Sequence, residues 1–226
     1  MIWNLPNILT VLRLFAAPGV AVMFLYFARP YADWFALILF VVAALTDFVD
    51  GYLARAWKQE SRFGAMLDPI ADKAMVVIAI AVLVALSSVE RSSMDPWILL
   101  PATLILFREV FVSGLREFLG DTAGTLKVTK LAKWKTTAQM IAIAVLFAKG
   151  VFEHYLFAWT QGMDQAVVDA ILTGRIRDHI GLRGIAAGYL YSWSAGVVLL
   201  WIAAALTLVT GWDYFRKALP YLRETK

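Results

Sequence analysis

The frame Asp47-x-x-Asp50-Gly51-x-x-Ala54-Arg55, followed after eight residues by Gly64-x-x-x-Asp68-x-x-x-Asp72, sets four carboxylates between almost wholly apolar stretches, 37–45 before them and 74–86 after them. An acid at the centre of a membrane helix is unfavourable by about 2.5–3.5 kcal/mol on insertion scales, so four uncompensated ones would amount to on the order of 10 kcal/mol. Something positive must offset them. In a helix, Asp47 and Asp50 stand about 60° apart and Asp68 and Asp72 about 40° apart, so each pair shares a face. An antiparallel helical hairpin joined through 57–63 then brings all four to one level. Oxygen-only donor sets of this kind suit Mg2+ or Mn2+, and four carboxylates can hold two ions, which neutralise them.

The neighbouring small and basic residues fit the same chemistry. Gly51 and Ala54 leave a surface on which a flat base or a diphosphate can approach the backbone, and Arg55 can pair with phosphate oxygens. Gly64 lets the chain pass close to the ions before the third helix begins, with Pro69 in that helix's first turn. A lone Gly or Ala in a membrane helix is more often a packing contact, so the weight rests on the acids. Near the N-terminus, Asn4-Leu5-Pro6-Asn7-x-Leu9-Thr10-x-x-Arg13 places an amide, a hydroxyl and a guanidinium where they can meet a pyrophosphate or a lipid headgroup. Arg108-Glu109 and Leu115-Arg116-Glu117 put two arginines on one face, and Lys127, Lys130, Lys133-Trp134-Lys135-Thr136-Thr137 and Gln139 follow. Together these outline a cationic pocket of the kind an acceptor carrying its own phosphate needs. The positive-inside bias accounts equally well for Lys127 and Lys130, but not for Arg108, which inside an apolar span must be functional or paired with an acid.

The elements that must position these groups are transmembrane helices. The chain of 226 residues is 61% hydrophobic, with mean hydropathy +0.70, against about half apolar in a soluble domain. Apolar runs long enough for a span of about 20 residues occur at 8–28, 34–55, 66–88, 97–118, 135–153 and 188–212. The expected fold is all-α and polytopic with six spans, Pro18 and Pro101 being tolerated where neighbouring helices re-satisfy the backbone. With the N-terminus in the cytoplasm, the inside segments hold Arg55, Lys58, Arg62, Arg116, Lys127, Lys130, Lys133, Lys135, Arg216, Lys217, Arg223 and Lys226. The outside segments hold Arg29, Arg91, Lys149, Arg175, Arg177 and Arg183, so twelve cations against six favour both termini inside. No signal peptide is expected, since Ile2-Trp3-Asn4-Leu5-Pro6 has neither a basic region nor a cleavage site. One domain is expected over 1–226, with a polar external insertion at about 153–185 and a short amphipathic helix around 165–172.

Composition also excludes. Without cysteine there is neither a disulfide framework nor a thiolate metal site, and only His154 and His179 could add nitrogen ligands. The net charge of +4 and pI near 9.3 come from short basic clusters between apolar runs, as expected beside an anionic leaflet, so nucleic acid is not an expected partner.

The string Asp47-Phe-Val-Asp50-Gly51-Tyr-Leu-Ala54-Arg55 with Gly64-Ala-Met-Leu-Asp68-Pro-Ile-Ala-Asp72 resembles the complete signature of the CDP-alcohol phosphatidyltransferases, with no position departing. The resemblance implies the six-helix membrane fold of that family and transfer of a phosphatidyl group from CDP-diacylglycerol to an alcohol, releasing CMP. It implies Asp47, Asp50, Asp68 and Asp72 as ligands of two Mg2+ or Mn2+ ions and Asp72 as the base. It also makes Gly51, Ala54, Arg55 and Ser61 contacts of the CDP moiety, and Asn7, Thr10, Arg13, Asp47 and Gly64 join the expected CDP-diacylglycerol site.

Over about 4–150, the N-terminal string, the Arg-Glu pairs and the Lys-Thr-x-x-Gln run resemble the branch of bacterial phosphatidylglycerophosphate synthases. That likeness implies sn-glycerol 3-phosphate as acceptor, with Arg108, Arg116, Lys133 and Lys135 holding its phosphate. The expected setting is the bacterial inner membrane with a cytoplasmic active site, and the expected partners are both substrates, the bilayer and a second copy of the chain. Two alternatives stay open: another acceptor such as phosphatidylglycerol, inositol phosphate or serine, and, more remotely, a divalent-cation transporter. The insertion departs from that likeness and has no assigned role.

Overall fold

The computed structural model describes residues 4–57, 61–91, 93–120 and 130–222, leaving out the side chains of 48, 50, 52–55, 89–91, 130, 132, 133 and 222. All regular structure among the described residues is helical, in the order α1 (Leu5–Tyr26), α2 (Tyr31–Ala56), α3 (Arg62–Arg91), α4 (Pro96–Leu119), α5 (Lys130–Thr160), α6 (Gln165–Leu172) and α7 (Leu182–Leu222). The helix starts follow local rules. Asn4 caps α1 by accepting the Asn7 N–H at 3.0 Å, and Asp95 caps α4 through the Trp97 N–H at 3.0 Å. Each helix has a proline at its start, where no N–H is needed. As expected, α1 and α4 run through Pro18 and Pro101, and α6 occupies the expected stretch of the polar insertion.

Among the described residues, five helical stretches are long and apolar enough to cross a membrane: Leu5–Tyr26, Arg62–Ser88, Pro96–Leu119, Trp134–Thr160 and Leu182–Tyr221. The expected count was six. The missing one is 34–55, which falls in α2 and carries several of the side chains outside the description. The 41 residues of α7 extend about 60 Å at 1.5 Å per residue, against a hydrocarbon core of about 30 Å. This helix is therefore longer than a single span needs and runs past the expected 188–212 at both ends.

The chain divides into two compact units, one formed by residues up to Leu83 with Ile143–Gly196, the other by Val84–Ala142 with the residues from Val197 onward. In the first unit α1 packs along α2, and Phe147 of α5 lies 6.3 Å from Phe24 and 5.9 Å from Phe40, ring to ring. Small residues bring the helices close: a Cβ at Gly188 would meet the Phe152 ring at 2.6 Å, and one at Gly196 would meet Leu146 at 2.6 Å. The short helix α6 seats Val168 and Ile171 against Leu182 and Leu156. Asp178 organises the start of α7 by accepting the N–H groups of Leu182 and Arg183, each at 2.9 Å. Those hydrogen bonds, Arg183 first, hold its carboxyl below the ordinary aspartate range.

In the second unit α4 and α7 run parallel. Trp97 meets Trp201, whose Nε1 donates to the Trp97 carbonyl at 3.1 Å, while Arg108 lies over Gly211 and Val112 and Leu119 pack with Tyr214 and Ala218.

Candidate active site

Asn7, Thr10 and Arg13 fall on one buried face of α1, each at most 3% exposed. Their polar ends turn toward α2 and α3. Asn7 Oδ1 accepts the Ser61 hydroxyl at 2.8 Å, and Ser61 Oγ accepts the Gly64 N–H at 3.0 Å. Thr10 lies 2.7 Å from Asp68 Oδ1, and Arg13 Nη1 donates to Asp47 Oδ1 at 2.6 Å and to Asp72 Oδ1 at 2.7 Å. One nitrogen thus ties the end of α2 to α3. The Arg13 side chain is 1% exposed while those of Asp47 and Asp72 are 45% and 48% exposed, so the cation forms a floor beneath two acids that stay open to incoming groups.

The Ser61–Gly64 bond is an N-cap, and it corrects one expectation. Because Ser61 caps α3, the helix begins at Arg62, so Gly64 lies inside its first turn rather than ahead of it, and Pro69 is well into the helix. The need for glycine at 64 is still real. A Cβ there would lie 2.7 Å from Asn7 Oδ1, so the bare backbone is what allows α1 and α3 to meet at this level.

The expected metal ligands are described only in part, since the Asp50 side chain lies outside the description. Among the described residues, no group of three or more acids and histidines is assembled to hold one ion. Like charges repel, and each described carboxylate turns to the nearest donor: Arg13 takes Asp47 and Asp72, and Thr10 takes Asp68. The donor set nevertheless fits a divalent cation in kind. Its oxygens are carboxylate, and Asp47 and Asp72 converge on a single cationic nitrogen. The side chains of Asp50, Ala54 and Arg55 lie outside the described residues, and Gly51 lies in the last turns of α2.

The expected acceptor cations sit in the second unit. Glu109 Oε1 accepts from Lys135 Nζ at 2.6 Å and from Arg108 Nη1 at 3.0 Å. Arg108 is therefore paired with an acid, one of the two fates expected for it. Glu109 is thus shared by two cations that stand on different helices, α4 and α5. Arg116 is exposed and stands 5.4 Å from the Tyr214 ring, and Lys133 and Lys127 lie outside the described side chains. Glu109 as the shared counter-ion was not among the expected site residues. Its signal was an acid next to an arginine within an apolar run.

A protein-family model for CDP-alcohol phosphatidyltransferases matches residues 3–209. The chain belongs to that family. CDP-alcohol phosphatidyltransferases use divalent cations, in keeping with the oxygen-only donors around Arg13. Among its relatives, the CDP-diacylglycerol–glycerol-3-phosphate 3-phosphatidyltransferase of Cereibacter sphaeroides is 63% identical over 226 residues, covering 100% of both chains. The protein of the same name from Rickettsia bellii is 37% identical, covering 96% of this chain and 97% of its own length. That from Haemophilus influenzae is 40% identical over 148 residues, covering 65% of this chain and 76% of its own.

Proposed function

We propose that this protein transfers the phosphatidyl group of CDP-diacylglycerol to sn-glycerol 3-phosphate, giving phosphatidylglycerophosphate and CMP in the bacterial inner membrane. The observation that carries the reading is the seating of the family's acid signature on the α2–α3 hairpin, with α1 supplying a buried arginine beneath it. The choice of acceptor is supported by the name of the full-length relative at 63% identity.

In this reading Asp47, Asp50, Asp68 and Asp72 hold two Mg2+ or Mn2+ ions, which when bound draw charge from the diphosphate and stabilise departing CMP. The residues of the chain do the rest. Asn7, Thr10, Arg13, Asp47, Gly51, Ala54, Arg55, Ser61 and Gly64 form the CDP-diacylglycerol site. Asp72 accepts the proton of the acceptor hydroxyl as that oxygen bonds the β-phosphorus and the phosphorus–oxygen bond to CMP breaks. Arg108, Arg116, Lys133 and Lys135 attract the phosphate of the acceptor. The chain is read as one domain with six spans, α2 supplying the sixth, with both termini and the acid array cytoplasmic and the 153–185 insertion outside.

The test is a headgroup panel. Purified protein receives CDP-diacylglycerol, Mg2+ and one of glycerol 3-phosphate, glycerol, phosphatidylglycerol, inositol phosphate or serine, and CMP release is measured. Release that depends on glycerol 3-phosphate is expected. Efficient release with glycerol or serine instead rejects this acceptor while leaving the family reaction in place.

A further inference from the structure

The interior of the second unit holds more hydrogen-bonding capacity than its own side chains use. Arg108 Nε, Gln139 Nε2, Thr207 Oγ1 and Tyr214 OH are all buried with no hydrogen-bond partner among the described residues. Gln139 is 1% exposed and Thr207 0%. Buried polar atoms without partners are few in native proteins, and each that occurs needs an explanation such as a water or a ligand.

Two of them stand one helical turn from residues that meet the cation cluster or its Arg108 side chain. Gln139 stands one helical turn from Lys135 on the buried face of α5. Thr207 stands one turn before Gly211, where an added Cβ would lie 3.0 Å from Arg108 Cγ and 3.7 Å from its Nε. A turn rises about 5.4 Å, so an amide and a hydroxyl lie within roughly one turn of the Arg108–Glu109–Lys135 cluster. Tyr214 differs from them in giving its ring face to Arg116.

The chemistry of the proposed acceptor, on which this step rests, supplies what these groups lack. Glycerol 3-phosphate carries a phosphate, a primary hydroxyl and a secondary hydroxyl. The cations attract the phosphate and the reaction takes the primary hydroxyl, which leaves the secondary one to be recognised. A hydroxyl donates once and accepts twice, so it can accept from an amide N–H and share a bond with a threonine.

We infer that Gln139 and Thr207 bind the secondary hydroxyl of the acceptor and set the enzyme's preference for a phosphorylated diol. A site built to hydrogen-bond a hydroxyl discriminates strongly against the analogue without it, because the buried groups are then left unpaired. Arg108 and Lys135 hold charge; Gln139 and Thr207 read the carbon skeleton.

The experiment compares glycerol 3-phosphate with 3-hydroxypropyl phosphate, which lacks only the secondary hydroxyl, in wild type, Gln139→Met and Thr207→Val. Both substitutions keep volume, and Gln139 Nε2 and Thr207 Oγ1, which they remove, hydrogen-bond to no other described residue. Each variant should lower kcat/KM for glycerol 3-phosphate by about three- to ten-fold while leaving kcat/KM for 3-hydroxypropyl phosphate and KM for CDP-diacylglycerol unaltered. In parallel, glycerol 3-phosphate should raise the melting temperature of wild type in detergent more than that of either variant. Equal loss with both acceptors, or loss with neither, overturns the inference while the transfer reaction stands, as expected if these atoms only hold water. CMP release with another alcohol and none with glycerol 3-phosphate overturns the acceptor reading and this inference together.

Discussion

Arg13 is the residue that makes the acid array tolerable in an apolar setting. It is nearly inaccessible, yet it meets two acids that each keep almost half their surface open, so it offsets part of their charge from below without closing the site. Thr10 gives Asp68 a hydrogen bond instead of a charge. Two predictions belong at this scale. Asp47→Ala or Asp68→Ala should abolish divalent-dependent CMP release while the protein remains in the membrane fraction, and chelation should silence the wild type. Near-normal turnover in both variants would sink the metal-ligand reading. Asp72→Asn should keep most of the affinity for CDP-diacylglycerol and lose kcat, because an amide can still sit at the position but cannot take a proton. If binding and turnover fell in parallel, Asp72 would act chiefly as a ligand.

Between elements, glycines decide how near the helices come, and not all of them matter equally. Gly188 lies against the Phe152 ring, whereas a Cβ at Gly114 would meet nothing within 4 Å. Gly188→Ala should therefore destabilise by about 1–3 kcal/mol through forced repacking. Gly114→Ala should be neutral or stabilise by about 0.5–1 kcal/mol, since alanine is the better helix former. Reversible unfolding in mixed micelles reads both, and equal effects would contradict the packing assigned here. The start of α7 carries a pH dependence of its own. Asp178 has its pKa lowered by the N–H groups of Arg183, Leu182, Gly181 and Ile180, so it favours the folded cap wherever the unfolded chain would already be ionised. That contribution is lost as pH falls through the depressed value. Amide exchange at Leu182 and Arg183 should be insensitive to pH changes above the ordinary aspartate range, once intrinsic exchange rates are divided out, and should accelerate in acid. Asp178→Asn should remove the transition.

At the scale of the whole molecule, a chain without cysteine invites a topology test. Single cysteines at Met94 and Met163, both exposed, should react with an impermeant maleimide added outside intact cells. One at Trp57 should react only after the inner face is opened. Labelling of Trp57 from outside would reverse the proposed orientation. A further cysteine at Tyr31, which is exposed at the start of α2, should label from outside if α2 is the sixth span.

The sequence alone determined that this is a helical membrane protein with an oxygen-lined acid array at one hairpin, because hydropathy and i, i+3, i+4 spacing are local properties that survive without coordinates. It also pointed to Asn7, Thr10 and Arg13 as site residues, though as contacts of substrate. The tertiary structure decided that these α1 side chains first serve the acids of α2 and α3, and that Glu109 joins Arg108 to Lys135. It likewise decided that Gln139 and Thr207 are buried without partners among the described residues. Apart from the adjacent Arg108–Glu109 pair, none of that was legible beforehand, because the other pairings join residues 26 to 59 apart along the chain and arise only when packing removes water from between helices whose spacing and register no local pattern specifies.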